Sequence, residues 1–302
     1  MIRLFGIPIR IHPLLWVVVT ISALTGHFLE LLVLFGVILI HELGHTAAAS
    51  SFNWRMKEIR LLPFGGVLEV EESGSIPAWQ EAAVVLAGPA QNALMIVLAL
   101  LCLRLGIWSD AWSEYFIRVN AMICLFNLLP ILPLDGGKLL KIALGLRLPY
   151  YQTLHAMFII SLLGSTFMIA VSLSIWQTYG IDLNLLMIGI FLFVSNWADY
   201  RNLSYIFLRF LMGREARMAE HPDRIKAKPL IVHAGVTLAQ TVKLLRREVF
   251  HVIYVCDEQG RIKQVLPELQ LIRAFLSGKE QHYRAGRGDF RYNNSKLGER
   301  RT

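Results

Sequence analysis

Apolar side chains run almost unbroken for lengths close to a membrane's thickness along the first two-thirds of this chain, and short polar or basic connections separate the runs. A helix needs about 20 predominantly apolar residues to cross a bilayer. Runs of that order lie near residues 11–26, 28–52, 80–105, 115–134, 152–177 and 183–208, which predicts six transmembrane helices. No small-residue cleavage site follows the first run convincingly, so that run is expected to be retained and not removed as a signal peptide. The pattern changes between the second and third runs, where MKEIRLLPFGGVLEVEESGS alternates apolar and polar residues around a turn at Pro63 to Gly66. This predicts a β-hairpin. Its tip, LLPFGG, is apolar enough to dip into the bilayer surface, where a free strand edge could pair with an extended peptide. A surface hairpin that only covers the neighbouring helix fits the same pattern.

From residue 224 the chain alternates as a soluble domain does, reading strand, helix, strand, an Asp-Glu-x-Gly turn, strand and helix up to residue 277. The organisation expected is a transmembrane domain over residues 1–210, a linker over 211–223, an α+β module over 224–277 and a basic tail over 278–302. The tail carries seven Lys or Arg against three acidic residues and few large aliphatics, a composition that does not bury a core. The fold class is therefore an α-helical polytopic membrane protein with six transmembrane helices, a membrane-associated β-hairpin after the second, and a small cytoplasmic α+β module.

Composition sharpens this reading. Hydrophobic residues make up 55% of the chain and charged residues only 17%, with a mean hydropathy of +0.50. Soluble domains average about 25% charged. The net charge of +8 does not form one patch, so direct nucleic-acid binding is not expected. The basic residues instead flank the runs: Arg3 and Arg10, then Arg55, Lys57 and Arg60, then Lys138, Lys141 and Arg147, then Arg209, Arg214 and Arg217. The positive-inside rule assigns all four groups, and with them both termini, to the cytoplasm. Cys102, Cys124 and Cys256 have no paired spacing and read as packing residues.

Chemistry enters in the second run, LLVLFGVILIHELGHTAAAS. On a helix His41 and His45 share a face, so both imidazoles can bind one Zn²⁺ while the adjacent Glu42 addresses a water on it. Ionisable groups at membrane depth are costly unless they face a polar cavity or a ligand. A catalytic zinc site takes a third protein ligand, and Asp135 in NLLPILPLDGGK is the leading candidate. Its prolines and glycines are expected to break the helix there, and its level matches that of the histidines. An Asx turn or helix cap is the alternative use of Asp before Gly. Asp199, beside Arg201 near a membrane surface, competes less well as a ligand, since an ion pair or headgroup contact accounts for it. His12, His27 and His155 have no partner at ligand spacing.

The set of HELGH on the second span, AGPAQN (Ala87 to Asn92) on the third and NLLPILPLDGG on the fourth resembles the site-2 protease family of intramembrane zinc metalloproteases. Six spans followed by one module of cystathionine-synthase type further resemble the family's sporulation branch in endospore-forming bacteria, which processes a pro-sigma factor at stage IV. The resemblance implies one zinc per chain on His41, His45 and Asp135 and Glu42 as general base, and the family's Gly-Pro-x-x-Asn element corresponds to Gly88, Pro89 and Asn92. It also implies a membrane-associated pro-sigma factor as substrate, inhibitory membrane proteins as partners, and the membrane around the forespore as location. Asn127, Pro133, Phe64 and Gly65 are the candidate substrate contacts, with a helix-to-helix hydrogen bond as the leading alternative use of Asn127. A single small module is expected to pair with that of a second protomer, giving a homo-oligomer. Modules of this type often bind adenine nucleotides, so ATP is the regulatory ligand implied, with a plain docking platform for substrate as the alternative. A zinc-binding transporter or receptor gated by the module is the competing class. It gives no reason for a glutamate beside the first histidine.

Overall fold

The computed structural model describes residues 2–4, 7–11, 24, 26, 28–54, 56–62, 65–70, 76–179, 183–220 and 227–278. The chain divides into two compact units, one of Met1–Leu148 with Gln152–Gly213, the other of Pro149–Tyr151 with Arg214–Thr302.

The first unit is mainly helical. Helix α1 (Phe28–Ser51) buries Val37, His41, His45 and Ala49 together with Ile38, Glu42 and Thr46, positions four apart that form one stripe. Helix α2 (Ala78–Arg104) answers with Val84, Val85, Gly88, Pro89, Asn92, Met95 and Ala99. The two approach closely because small residues line the seam: a Cβ on Gly44 would lie 2.7 Å from the carbonyl oxygen of Ala87. Pro89 stands inside α2 without ending it. Helix α3 (Asp110–Asn127) packs against α2 and stops where the LLPILPL segment begins. Helix α4 (Asp135–Arg147) starts on the aspartate itself. Helices α5 (Tyr150–Tyr179), α6 (Leu183–Arg201) and α7 (Leu203–Glu220) complete the helical set.

Among the described residues, three helices are long and apolar enough to cross a membrane: α1, α2 and the stretch Tyr150–Ser174 of α5. The six expected runs map as follows. The second, third and fifth fall on these three. The fourth falls on α3, whose first half carries Asp110, Glu114 and Arg118, and the sixth falls on α6 and the start of α7. The first, over 11–26, lies almost wholly outside the described residues.

The hairpin expected after α1 is present as β3 (Met56–Leu62) and β4 (Gly65–Val70), antiparallel, with Leu62 opposite Gly65. Pro63 and Phe64 at its tip lie outside the described residues. It is not a free-standing hairpin. Strands β1 (Ile2–Leu4) and β2 (Ile7–Ile11) pair antiparallel, and β2 lies parallel to β3 with Ile9 opposite Ile59, giving a four-stranded sheet in the order β1-β2-β3-β4. Its outer edges are β1 and β4.

The second unit has the element order read from the sequence: β5 (Ala227–His233), α8 (Leu238–Val242), β6 (Phe250–Cys256), β7 (Ile262–Pro267) and α9 (Glu268–Leu276). Strands β5 and β6 are parallel, β6 and β7 antiparallel. Thr237 and Gln240 cap α8 reciprocally, and Asp257 Oδ1 accepts from the amides of Gln259 and Arg261 at 3.0 and 2.9 Å to close the turn at Gly260, whose φ is +77°. Val232, Leu238, Val242, Leu245, Ile253, Val255, Leu266, Leu271 and Ile272 form the core. Beside it lies a wholly buried ion pair, Arg214 with Glu268. The guanidinium also donates to the carbonyls of Arg246 (2.6 Å), Arg247 (3.1 Å) and Val249, and stands 4.6 Å from the Phe250 ring. The Glu268 carboxylate accepts in addition from the His251 amide at 2.6 Å.

Removing one partner of a buried pair strands the other charge, a cost of about 3–5 kcal/mol. Arg214→Ala is therefore expected to destabilise the second unit by that amount. The measurement is hydrogen exchange of the β6 and α9 amides in the full chain, which should lose most of their protection while α1 and α2 keep theirs.

Candidate metal centre

His41 and His45 project from the buried stripe of α1 toward α2, and Asp135 reaches them from the first turn of α4. Each imidazole has its Nδ1 committed. That of His45 donates to the Val84 carbonyl at 2.8 Å, and that of His41 to Asn92 Oδ1 at 2.5 Å. The orientation of Asn92 is fixed in turn, because its Nδ2 faces the backbone and side-chain oxygens of Asn120 at 3.4 and 3.3 Å. Asn120 is fully buried and ties its own amide to the Phe116 carbonyl at 2.9 Å.

With both Nδ1 atoms donating outward, the two Nε2 atoms are the ones left to face an ion. These two atoms stand 3.2 Å apart, and Asp135 Oδ2 lies 3.1 Å from one and 2.9 Å from the other. The edge of a tetrahedral zinc site with ordinary N and O ligand distances is roughly 3.3–3.5 Å. Three ligand-type atoms stand at nearly that spacing, so a single ion can reach all of them. The donor set therefore fits zinc. The other carboxylate oxygen of Asp135 accepts from Lys138 Nζ at 3.0 Å, which leaves Oδ2 as the oxygen that could ligate an ion.

Glu42 is buried beside the histidines, and the three side chains offer ligand atoms within 4.8 Å of one another. Gly88 makes the space for them: a Cβ there would lie 2.6 Å from His41 Nε2 and nearer still to the His45 ring. Gly136 and Gly137 do similar work under Asp135, where a Cβ on either would run into the backbone of Leu128 or Ile131. The expectation that these glycines help break the helix is corrected here, since both lie inside α4. They let the LLPILPL backbone fold tightly against its first turn. Asp135 is likewise no capping residue, because Leu134 holds the N-cap position and the carboxylate turns to His41, His45 and Lys138.

The remaining candidates are placed as follows. Asn127 is half-buried at the end of α3 and Pro133 half-buried in the segment before Asp135. Among the described residues neither joins the hydrogen bonds around the histidines. Gly65 opens β4, while Phe64, His12 and His27 lie outside the described residues. His155 packs near Tyr200, whose hydroxyl is 3.5 Å from its Nε2. Sequence reasoning passed over Asn120 and the Val84 carbonyl. A buried Asn in an apolar helix was the available signal for the first, and nothing local signals the second.

A helix-borne pair of histidines with a glutamate between them and an aspartate from a second helix, all buried among membrane-type helices, defines the class of integral-membrane metallohydrolases. Comparison with known proteins narrows this. Residues 29–109 match the model of peptidase family M50. The chain is 35% identical over 273 residues, 90% of its own length and 92% of the relative's, to Stage IV sporulation protein FB of Bacillus subtilis (strain 168). It is 33% identical over 160 residues to the putative zinc metalloprotease sll0528 of Synechocystis, covering 46% of this chain and 42% of that one. Its fold is similar to that of the site-2 protease from Methanocaldococcus jannaschii, with a TM-score of 0.55 at 23% identity over 66% of this chain and 94% of that one. The chain belongs to the site-2 protease family, peptidase family M50, and is a membrane zinc metalloprotease.

Two substitutions test how the imidazoles are held. Asn92→Leu is expected to weaken zinc binding by about 10- to 100-fold, the usual effect of losing a ligand's hydrogen-bond partner. Gly88→Ala, which pushes a methyl group into both rings, should abolish stoichiometric zinc. Chelator competition on the purified chain measures both, and wild-type affinity in Asn92→Leu would refute the assigned tautomer.

Proposed function

We propose that this zinc metalloprotease removes the pro-sequence of a membrane-associated pro-sigma factor during sporulation. The observation that carries the proposal is the match to Stage IV sporulation protein FB along nearly the whole of both chains, including the second unit. The membrane around the forespore, with both termini cytoplasmic, is the location that goes with this reading.

In the proposed mechanism His41, His45 and Asp135 would hold the metal. When held there, the metal would supply Lewis acidity for the scissile carbonyl and for the attacking water. Glu42 takes the proton of that water and returns it to the leaving amine. Burial among α1, α2 and α4 keeps bulk water away, and Lys138 holds Asp135 with Oδ2 toward the histidines. A peptide bond inside a helix is closed to attack, so the substrate enters extended. The outer edge of β4, which follows the catalytic helix through β3, offers main-chain groups for such a strand, with Gly65, Phe64, Asn127 and Pro133 as contacts.

The second unit, read as one cystathionine-synthase-type module, is supported by its β5–α8–β6–β7–α9 order. ATP binding, pairing of modules into a homo-oligomer and control by inhibitory membrane proteins follow from the family resemblance. A transporter or receptor is not favoured, because the relatives are named as metalloproteases.

Co-expression of the full chain with candidate pro-sigma factors, followed by mapping of the new N-terminus, tests the substrate. Glu42→Gln should retain zinc yet cleave about 10²- to 10⁴-fold more slowly. Asp135→Asn should lose zinc affinity as well as activity. Normal cleavage by Glu42→Gln would overturn the mechanism, and an unchanged pro-protein beside active wild-type enzyme would overturn the substrate.

A further inference from the structure

We propose that Ser161 on α5 and Asn196 on α6 are positioning residues for Asp135, acting through the backbone N–H and carbonyl of Leu132. The inference rests on the reading of Asp135 as a zinc ligand.

Leu132 stands three residues before Asp135 in the irregular segment between α3 and α4, and its two backbone polar groups go to two different helices. Its N–H donates to Ser161 Oγ at 2.9 Å. Its carbonyl accepts from Asn196 Nδ2 at 2.6 Å, a donor that also reaches the Leu192 carbonyl at 2.8 Å. Ser161 and Asn196 are 0% and 1% exposed. Irregular backbone among membrane helices persists only where such partners satisfy it.

The neighbouring residue is held as firmly. Ile131 packs in a buried cluster with Met168 of α5 and Leu192 of α6. A Cβ on Gly164 of α5 would lie 2.8 Å from its side chain, so Ile131 sits directly on that helix. On the other side Gly136 and Gly137 press against Leu128 and Ile131. The segment that delivers Asp135 is clamped between α4 and the α5–α6 pair.

The amide of Asn196 shows what it serves. Its Oδ1 is buried and has no hydrogen-bond partner among the described residues. Flipping the amide would aim that oxygen at two carbonyl oxygens, so the orientation that holds Leu132 is kept while the acceptor goes unmet. Nδ2 thus holds Leu132 while tying the amide to its own helix at Leu192. Ligand geometry must be held to a fraction of an ångström for zinc to bind tightly and for the carbonyl to meet it correctly.

The test uses the full chain in detergent with Zn²⁺ and Co²⁺ as probes. Asn196→Leu is expected to weaken zinc in chelator competition by about 10-fold, within the range for groups that support metal ligands. It should also alter the ligand-field spectrum of the Co²⁺-loaded protein and lower kcat with little change in KM. Ser161→Ala, a milder change, should move the same three readouts in the same direction and serves alone if Asn196→Leu does not fold. A folded variant with wild-type zinc affinity and an unchanged Co²⁺ spectrum overturns the proposal, since a purely structural role would lower thermal stability only. Asp135→Asn is the control. If it too leaves zinc affinity unchanged, the ligand reading fails, whereas weakened zinc in Asp135→Asn beside normal zinc in Asn196→Leu removes the positioning role alone.

Discussion

Three ligand-type atoms converging in an apolar interior form the constraint on which the first unit depends. Two imidazole nitrogens and one carboxylate oxygen stand 2.9–3.2 Å apart, a spacing at which one ion can draw on all three. Holding them there shapes much of the fold. The seam of α1 and α2 must close tightly enough to put Val84 and Asn92 behind the rings, which is why Gly44 and Gly88 carry no side chain. The aspartate must arrive from a helix N-terminus folded hard against its own approach segment, which is why Gly136 and Gly137 follow it.

This constraint explains why the candidate site, whose His41, His45 and Asp135 the structure brings together, could be assembled from the sequence. Two histidines four apart in an apolar run need no tertiary information to be placed on one helix face, and an aspartate between proline and glycine at a run's end is conspicuous. The hairpin was legible too, because its alternation is local. The pairing of β2 with β3 was not. Ile7–Ile11 is a short apolar strand whose partner lies some fifty positions away, and only the parallel register, Ile9 opposite Ile59, gives it meaning. The same holds for Asn120 and Asn196. A buried amide in a membrane-type helix looks alike whether it bonds its own turn, a neighbouring helix or a ligand's support.

The glycines show a further limit of sequence reading. In LPLDGGK they carry the composition of a turn, yet they continue a helix, and in AGPAQN the Gly-Pro pair lies within one. Propensity counts what a residue costs in its own element. Here the gain lies in a neighbouring element, as room for two imidazoles or for a carbonyl.

The second unit provides the contrast that separates a site from a structural ion pair. Arg214 has five N–H donors, and all five are matched by Glu268 and by the carbonyls of Arg246, Arg247 and Val249. Glu268 takes the His251 amide besides. Nothing is left over, so the cluster can brace the fold but has no capacity for a ligand. Around His41, His45 and Asp135 the outer atoms are satisfied to the same degree by Asn92, Val84 and Lys138, while the inner three atoms have only one another. Burial and charge are common to both clusters. What makes one of them a candidate metal centre is ligand capacity that the protein has directed to one point.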